Sequence, residues 1–359
     1  MSDAPTRLLG FQVPIELLRR RYLRFVWNAA QPGNLDEAPH VDPTTFPSPG
    51  FLEEAIEIDP KVKHPTFRPV GHCIYCGATT YTAEADRRLG QEHIVAEGLG
   101  GTLILPEASC KECEAGTSAI ELAIVRKLFL VPRRRLGLRG KKRDRTDVRI
   151  TVTTILSGNE VEIELPLEEH PTVLILPMFQ PPGLIVNRSA DVPGFAGFWG
   201  EQLVDVKELM EKRPHIATPF IDIVRFCQLI AKISHAFAIA RLGDDLFVPL
   251  LPKFIRRRFA TFEQYPECYS LVGGFPDTYA PSLGLHQLKL GTEKVGDRLH
   301  LLCAVRLFGN LGAPIFMTVV GVVNPGVTHA DIRARELARM NLLSAAAERR
   351  VSSRPQRAP

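Results

Sequence analysis

The sequence predicts an α+β protein in which a small cysteine-knuckle module precedes a separate, larger C-terminal α+β domain. Three observations carry that expectation. Two Cys-x-x-Cys pairs, Cys73/Cys76 and Cys110/Cys113, bracket a short stretch with turn chemistry at its centre. Strand-like alternation recurs at 148–156 with 161–165, and again at 298–307 with 314–323. A long apolar segment, 219–242, is rich in Ile, Leu, Phe and Ala and stops at Gly243, the pattern of a helix buried on most sides.

Taken in order, residues 15–30 space Leu17, Leu18, Tyr22, Phe25 and Val26 three to four apart, which predicts an amphipathic helix with a basic face. Prolines crowd residues 31–70, which read as an extended linker with at most one short helix near Glu53 to Ile58. Residues 1–70 are therefore a helical arm and linker, 71–132 the module, 133–147 a basic linker, 148–350 the C-terminal domain and 351–359 a disordered tail. Within the module, Thr79 to Arg88 leads as an irregular arm or strand into Gln91-Glu92-His93. Thr102 to Leu105 should be a second strand, stopped by Pro106. Ser109 is placed to cap a helix running from about Lys111 towards Phe129. Beyond it, Ser157-Gly158-Asn159-Glu160 joins a hairpin, Thr172 to Leu176 is a further strand, and Gly194 to Gly200 is a glycine and aromatic loop. Residues 328–347 have the pattern of a terminal amphipathic helix.

The two cysteine pairs have knuckle spacing, so together Cys73, Cys76, Cys110 and Cys113 can complete a tetrahedral zinc site. The competing reading, a redox Cys-x-x-Cys motif, needs a thioredoxin-like βαβ context that the flanking sequence lacks. The spacing exceeds that of a simple zinc ribbon, and the insert holds Glu92-His93 and then Gly98-Leu99-Gly100-Gly101.

These residues, in this order, resemble the HNH endonuclease family. There a Cys-x-x-Cys pair opens a ββα-metal module, an Asp-His or Glu-His dipeptide ends its first strand, glycines mark the turn, and a second Cys-x-x-Cys opens the helix. The resemblance implies a zinc-stapled ββα-metal (HNH) module and phosphodiester hydrolysis. His93 would be the general base, Glu92 a ligand of a catalytic Mg²⁺ or other divalent ion, and the four cysteines the ligands of a structural Zn²⁺. Such a reaction needs a base to deprotonate water and a cation to hold charge building on the phosphate, and a histidine's ordinary titration range suits the first task. The chain departs from the family at three positions. Leu105 stands where an asparagine commonly supports the histidine loop, and Ala96 where proline is common. Glu114 replaces the Asn or His that follows the fourth cysteine; its carboxylate can serve as a second ligand of the divalent ion or be a solvated helix residue.

The formal net charge of +4 does not by itself indicate a polyanionic partner, but its distribution does. Arg133, Arg134, Arg135, Arg139, Lys141, Lys142, Arg143 and Arg145 are interrupted by a single acid, Asp144. A block of this kind is either an electrostatic footprint for phosphate backbones or a solvated loop. Arg256-Arg257-Arg258 reads as a surface feature. No apolar run reaches the roughly 18 to 20 residues of a membrane span, and the N-terminus lacks a signal-like apolar core. With four of seven cysteines assigned to metal, the remaining Cys227, Cys268 and Cys303 read as reduced, buried thiols of a cytoplasmic protein with no membrane partner. The expectation is a metal-dependent endonuclease acting on nucleic acid, DNA in the first instance. The alternative is a zinc-stapled nucleic-acid-binding module without catalysis.

Overall fold

The computed structural model describes residues 22–23, 26–28, 50–51, 55–62, 64, 66–82, 88–138, 149–156, 159–170, 172–188, 194–203, 215–217, 221–258, 266–275 and 281–339. Helix and strand are mixed through the chain, in keeping with an α+β class. The elements that position the site are, in chain order, β1 (Gly90–His93), β2 (Ile104–Ser109), α1 (Lys111–Ala123) and α2 (Leu130–Arg135). Then follow β3 (Arg149–Leu156), β4 (Asn159–Pro166), β5 (Val173–Phe179), β6 (Phe195–Gln202) and the long helix α3 (Ile223–Leu242). The chain continues through β7 (Phe247–Pro249), α4 (Leu251–Arg256), α5 (Pro266–Leu271), β8 (Val272–Phe275), β9 (His286–Val295), β10 (Arg298–Leu307) and β11 (Ile315–Val323). A helical segment at 329–339 ends the described chain.

β9, β10 and β11 form the centre of a seven-stranded antiparallel sheet. Alternation on β9 puts Leu288 and Leu290 into the core, whereas β10 and β11 are covered on both faces, and Leu301, Val305, Phe316 and Val320 are likewise fully buried. β7 and β8 pair with β11 on its other side. The hairpin expected from the 298–307 and 314–323 patterns is present, as is the β3–β4 hairpin, paired from Arg149 with Pro166 to Leu156 with Asn159.

Helix α3 packs on this sheet through β10 and β11, and on its other flanks against α1, α4 and α5. Asp222 caps it by accepting from the Arg225 backbone N–H at 3.0 Å, and Gly243 ends it. Contrary to the expectation that no apolar run is long enough, its length and composition would suffice to cross a bilayer, yet 94% of the qualifying stretch is buried inside the protein. Its apolar surface is satisfied by the core and not by lipid.

Several expectations are corrected. The stretch at 15–30 was expected to be a helix, but its described residues are strands. Tyr22–Leu23 pairs with Ile221–Asp222, and Val26–Asn28 with His215–Ala217. The rest of that stretch lies outside the described residues. In place of a short helix near Glu53 to Ile58, Ile56–Ile58 is an edge strand on β9, and Gly50–Phe51 is another. The Ile-Glu-Ile alternation buries Ile58, while Glu57 accepts from the Gly284 backbone N–H at 2.9 Å and from Gln287 at 2.6 Å. The glycine and aromatic stretch at 194–200 is not a loop, because all of it after Gly194 belongs to β6, whose Trp199 pairs with Leu176 of β5. Cross-strand apolar pairing has overridden its glycines.

The boundary expected between the module and a separate C-terminal domain does not divide the core. Module residues Ile94, Val95, Leu105 and Ile120 belong to one buried hydrophobic cluster with Phe226, Ile233, Leu288 and Phe316. The reason is α3, which supplies apolar side chains on every face and buries the module against the sheet. The tail after Ser352 lies outside the described residues.

Candidate metal centre and histidine hairpin

The first cysteine pair sits on a tight turn. Gly77 N–H donates to the Cys73 carbonyl at 2.8 Å, and Cys73 N–H to the Ala78 carbonyl at 2.7 Å. Ile74 N–H reaches the Ala108 carbonyl at 2.9 Å, tying this knuckle to β2. The second pair lies where β2 becomes α1, with Cys110 in the extended cap position and Cys113 in the first turn. Ser109, expected to cap the helix, instead completes β2. The cap residue Cys110 makes no side-chain capping bond, its sulfur being turned to the other cysteines.

The four Sγ atoms lie within 4.8 Å of one another, and Cys76 and Cys110 are 3.6 Å apart. A tetrahedron of sulfurs about 2.3 Å from a central ion has edges of about 3.8 Å, whereas a disulfide closes to about 2.05 Å. All seven cysteines are free thiols, and this group fits a metal ion such as zinc. Crowding splits the thiols electrostatically. Hydrogen bonding from Cys113 pulls Cys73 down to about 4 against the cost of burial. Cys113 is pushed far up by its bond to Cys73 and by burial, and Cys76 is raised chiefly by burial.

β1 and β2 pair antiparallel, with Glu92 opposite Leu105 and His93 opposite Ile104. Pro106 does not stop the second strand as expected. The register slips between Gly90 and Glu92, and Glu107 adopts a positive φ of 50°. A proline is tolerated at such an irregularity because it has no ladder N–H to offer, and the Pro106 carbonyl still accepts from Val70 N–H at 3.1 Å. After His93 the chain passes through a short 3₁₀ turn, Glu97–Leu99. At Gly101 a Cβ would fall 2.0 Å from the Val95 carbonyl oxygen, so only glycine lets the turn close.

Neighbouring residues on a strand point to opposite faces, and β1 divides its acid from its histidine in this way. His93 is half-buried, its Nε2 3.3 Å from the Gln91 side-chain amide on the same outer face. Glu92 points inward and is 5% exposed. Its Oε1 is 2.6 Å from the Nζ of Lys232, which is fully buried in the middle of α3. Lys232 also pairs with Glu121 of α1 at 2.7 Å and donates to the backbone carbonyls of His93 and Ile94. One ammonium thus ties both strand and helix of the module to the core. Burial opposes its charge, but Glu121 and Glu92 outweigh that and hold Lys232 above its ordinary range. Burial holds the Glu92 carboxyl above the usual carboxylate range, with Lys232 pulling the other way. The phenol of Tyr75, buried beside the same carboxylate, stays protonated through burial first and the Glu92 charge second.

This geometry corrects the role expected of Glu92. Its carboxylate is committed to Lys232 inside the protein and does not face the side of the strand that carries His93. Glu114 sits at the first turn of α1, accepts from the Tyr81 hydroxyl at 3.0 Å, and lies so close to Gly90 that a Cβ there would be 2.8 Å from its Oε2. Among the described residues, the four cysteines are the one group of three or more Cys, His, Asp or Glu side chains arranged to share a metal ion. Glu92, His93 and Glu114 do not form a second.

The first knuckle is also fastened from below. His235, one helical turn after Lys232 towards the end of α3, donates from Nε2 to the Ile74 carbonyl at 2.7 Å, and its ring lies 5.7 Å from that of Tyr75. Burial pushes it down to about 4, so it is neutral. His286 does the same for the glycine turn: Nε2 donates to the Leu99 carbonyl at 2.7 Å, while Nδ1 accepts from Phe308 N–H at 3.1 Å.

Of the basic block, Arg135 is occupied by the fold. Its guanidinium donates to the carbonyls of Leu167, Glu168 and His170, closing the turn after β4. The Arg133 guanidinium lies against Gly98, 3.5 Å from where a Cβ would stand. Arg134 is half-buried on α2, and Arg139, Lys141, Lys142, Arg143 and Arg145 lie outside the described residues.

Sequence reasoning missed Lys232, Glu121, Tyr75 and His286. The available signal was a lysine at the centre of an otherwise apolar helix, which must find anionic partners in the interior. No family model, curated protein or solved structure matches this chain.

Proposed function

We propose that the chain is a nuclease of the ββα type, in which Cys73, Cys76, Cys110 and Cys113 hold a structural Zn²⁺ and His93 is the general base of phosphodiester hydrolysis. The observation that carries this reading is the placement of His93. It ends the first strand of an antiparallel hairpin whose second strand runs directly into a cysteine-anchored helix, with its imidazole on the outer face and its backbone carbonyl held by Lys232. A base held in this way can take a proton from water without the backbone shifting beneath it. The zinc supplies no chemistry in this reading. It fixes the end of β2 and the start of α1 against the Cys73 turn.

The described residues do not fit the catalytic divalent ion in the form expected, because Glu92 is withdrawn into the Lys232 pair. Glu114 is the remaining acidic candidate of the two. No step is assigned to that ion.

The test is incubation of the pure full-length protein with supercoiled plasmid and Mg²⁺ or Mn²⁺, beside His93→Ala. Losing a general base costs about 10² to 10⁴ in rate. The variant should therefore keep its melting profile and metal content while cleavage falls by that factor, and cleavage at the parental rate would remove His93 from the chemistry. A second reading is a zinc-stapled nucleic-acid binder that does not cleave, favoured by the burial of Glu92. It predicts duplex affinity unchanged by His93→Ala and no cleavage by the parent with any divalent ion.

A further inference from the structure

We infer that the exposed cations at the end of α4 form a docking face for the phosphate backbone of duplex DNA beside the His93 hairpin; the inference rests on the nucleic-acid reading above and supplies its contact surface. Lys253, Arg256, Arg257 and Arg258 are all exposed, and α4, of sequence Leu-Pro-Lys-Phe-Ile-Arg, contains no acid to neutralise them. Cations in the last turn of a helix are favoured by its dipole, which would account for Lys253 and Arg256. It does not account for Arg257 and Arg258, which follow the helix.

The fold fixes where this cluster sits. The buried amide of Gln228 donates to the carbonyls of Phe254 and Arg257, each at 3.0 Å, and so pins the end of α4 to helix α3. Four residues on, from the same face of α3, Lys232 pins the carbonyls of His93 and Ile94. One turn of α3, about 6 Å of rise over four residues, separates the two attachment points. Arg225, three residues before Gln228 and seven before Lys232, adds a partly exposed cation to the same stripe.

α4 also packs on α1, the helix that carries Cys113 and Glu114. The exposed side of α1 offers Ala115, Gly116, Ser118 and Ala119, small and uncharged, so nothing there repels or holds off a phosphate chain. The sequence pointed to 133–145 as the phosphate-binding block. The structure favours α4, because Arg135 is spent on backbone carbonyls while the α4 cations are exposed and held beside the hairpin.

Fluorescence anisotropy with two unrelated labelled duplexes, at several salt concentrations and without Mg²⁺ or Mn²⁺, tests this on the full-length zinc-loaded protein. Each phosphate contact contributes about −0.9 to the slope of log affinity against log salt. The triple variant Arg256→Gln, Arg257→Gln, Arg258→Gln should melt like the parent, bind both duplexes more weakly to the same extent, and have a slope shallower by about 2 to 3. A parent that binds DNA with a slope the variant leaves unchanged overturns the inference and leaves the nuclease reading standing. A parent that binds and shows the slope change but never cleaves plasmid upholds the docking face and sinks the nuclease. A parent that binds anionic phosphatidylserine vesicles and no duplex overturns both.

Discussion

Two polar knots hold the hairpin, and they are built in opposite ways. The cysteine cluster joins four like groups from two turns of local chain, with Cys76 and Cys110 only 34 positions apart, at a surface edge where Cys76 is exposed. The Lys232 knot joins unlike charges in the interior, across 139 positions to His93 and 111 to Glu121. The first is suited to an ion taken from solution, because its ligands carry surplus negative charge when deprotonated. The second supplies its own cation and has no place for another. An acid next to a histidine is thus not a metal ligand by adjacency: the strand's alternation sends the two side chains to different environments.

The sharpest way to break the comparison is to remove the internal cation. Lys232→Met would leave Glu92 and Glu121 facing each other beside the Tyr75 phenol in the interior. Breaking a buried pair in this way typically costs about 3 to 5 kcal/mol. Urea unfolding should register a loss of that size, and adding Glu92→Gln to the variant should restore part of it. A loss below about 1 kcal/mol would mean that the knot contributes little and that Glu92 is free to move.

A smaller effect sharpens the same contrast through pH. His286 has a donor at one nitrogen and an acceptor at the other, so only the neutral ring satisfies both Leu99 and Phe308. Burial takes it from 6.5 down to about 4. A base whose folded value is depressed binds its proton first in the unfolded state, so its contribution is complete above about 6.5 and declines as pH falls towards 4, by up to about 1.4 kcal/mol per pH unit. His286→Gln should be less stable than the parent at pH 7, with the gap narrowing on acidification. A gap independent of pH would show that His286 is not held neutral.

The sequence made the cysteine centre legible because both halves of each knuckle are three positions apart and carry their chemistry in residue type alone. The β3–β4 and β10–β11 hairpins were legible for a similar reason, since alternation and turn residues are local. The Lys232 and His286 joints were not, because each depends on which distant backbone the fold brings alongside. The helix expected at 15–30 failed for the related reason that strand partners at 215–217 and 221–222 decide its described residues. Within the site, His93 and the four cysteines are placed as expected. Glu92 is not, although Lys232 in an apolar helix was the residue that asked for it.

The cysteine cluster, and not the Glu92-His93 dipeptide, is the group arranged to hold a metal ion among the described residues. Metal analysis after gel filtration tests it most directly, on the parent, Cys110→Ser and Glu92→Gln. The parent and Glu92→Gln should each retain close to one zinc per chain, and Cys110→Ser should lose it. A parent free of zinc, or a folded Glu92→Gln that has lost the metal while Cys110→Ser keeps it, would contradict the account.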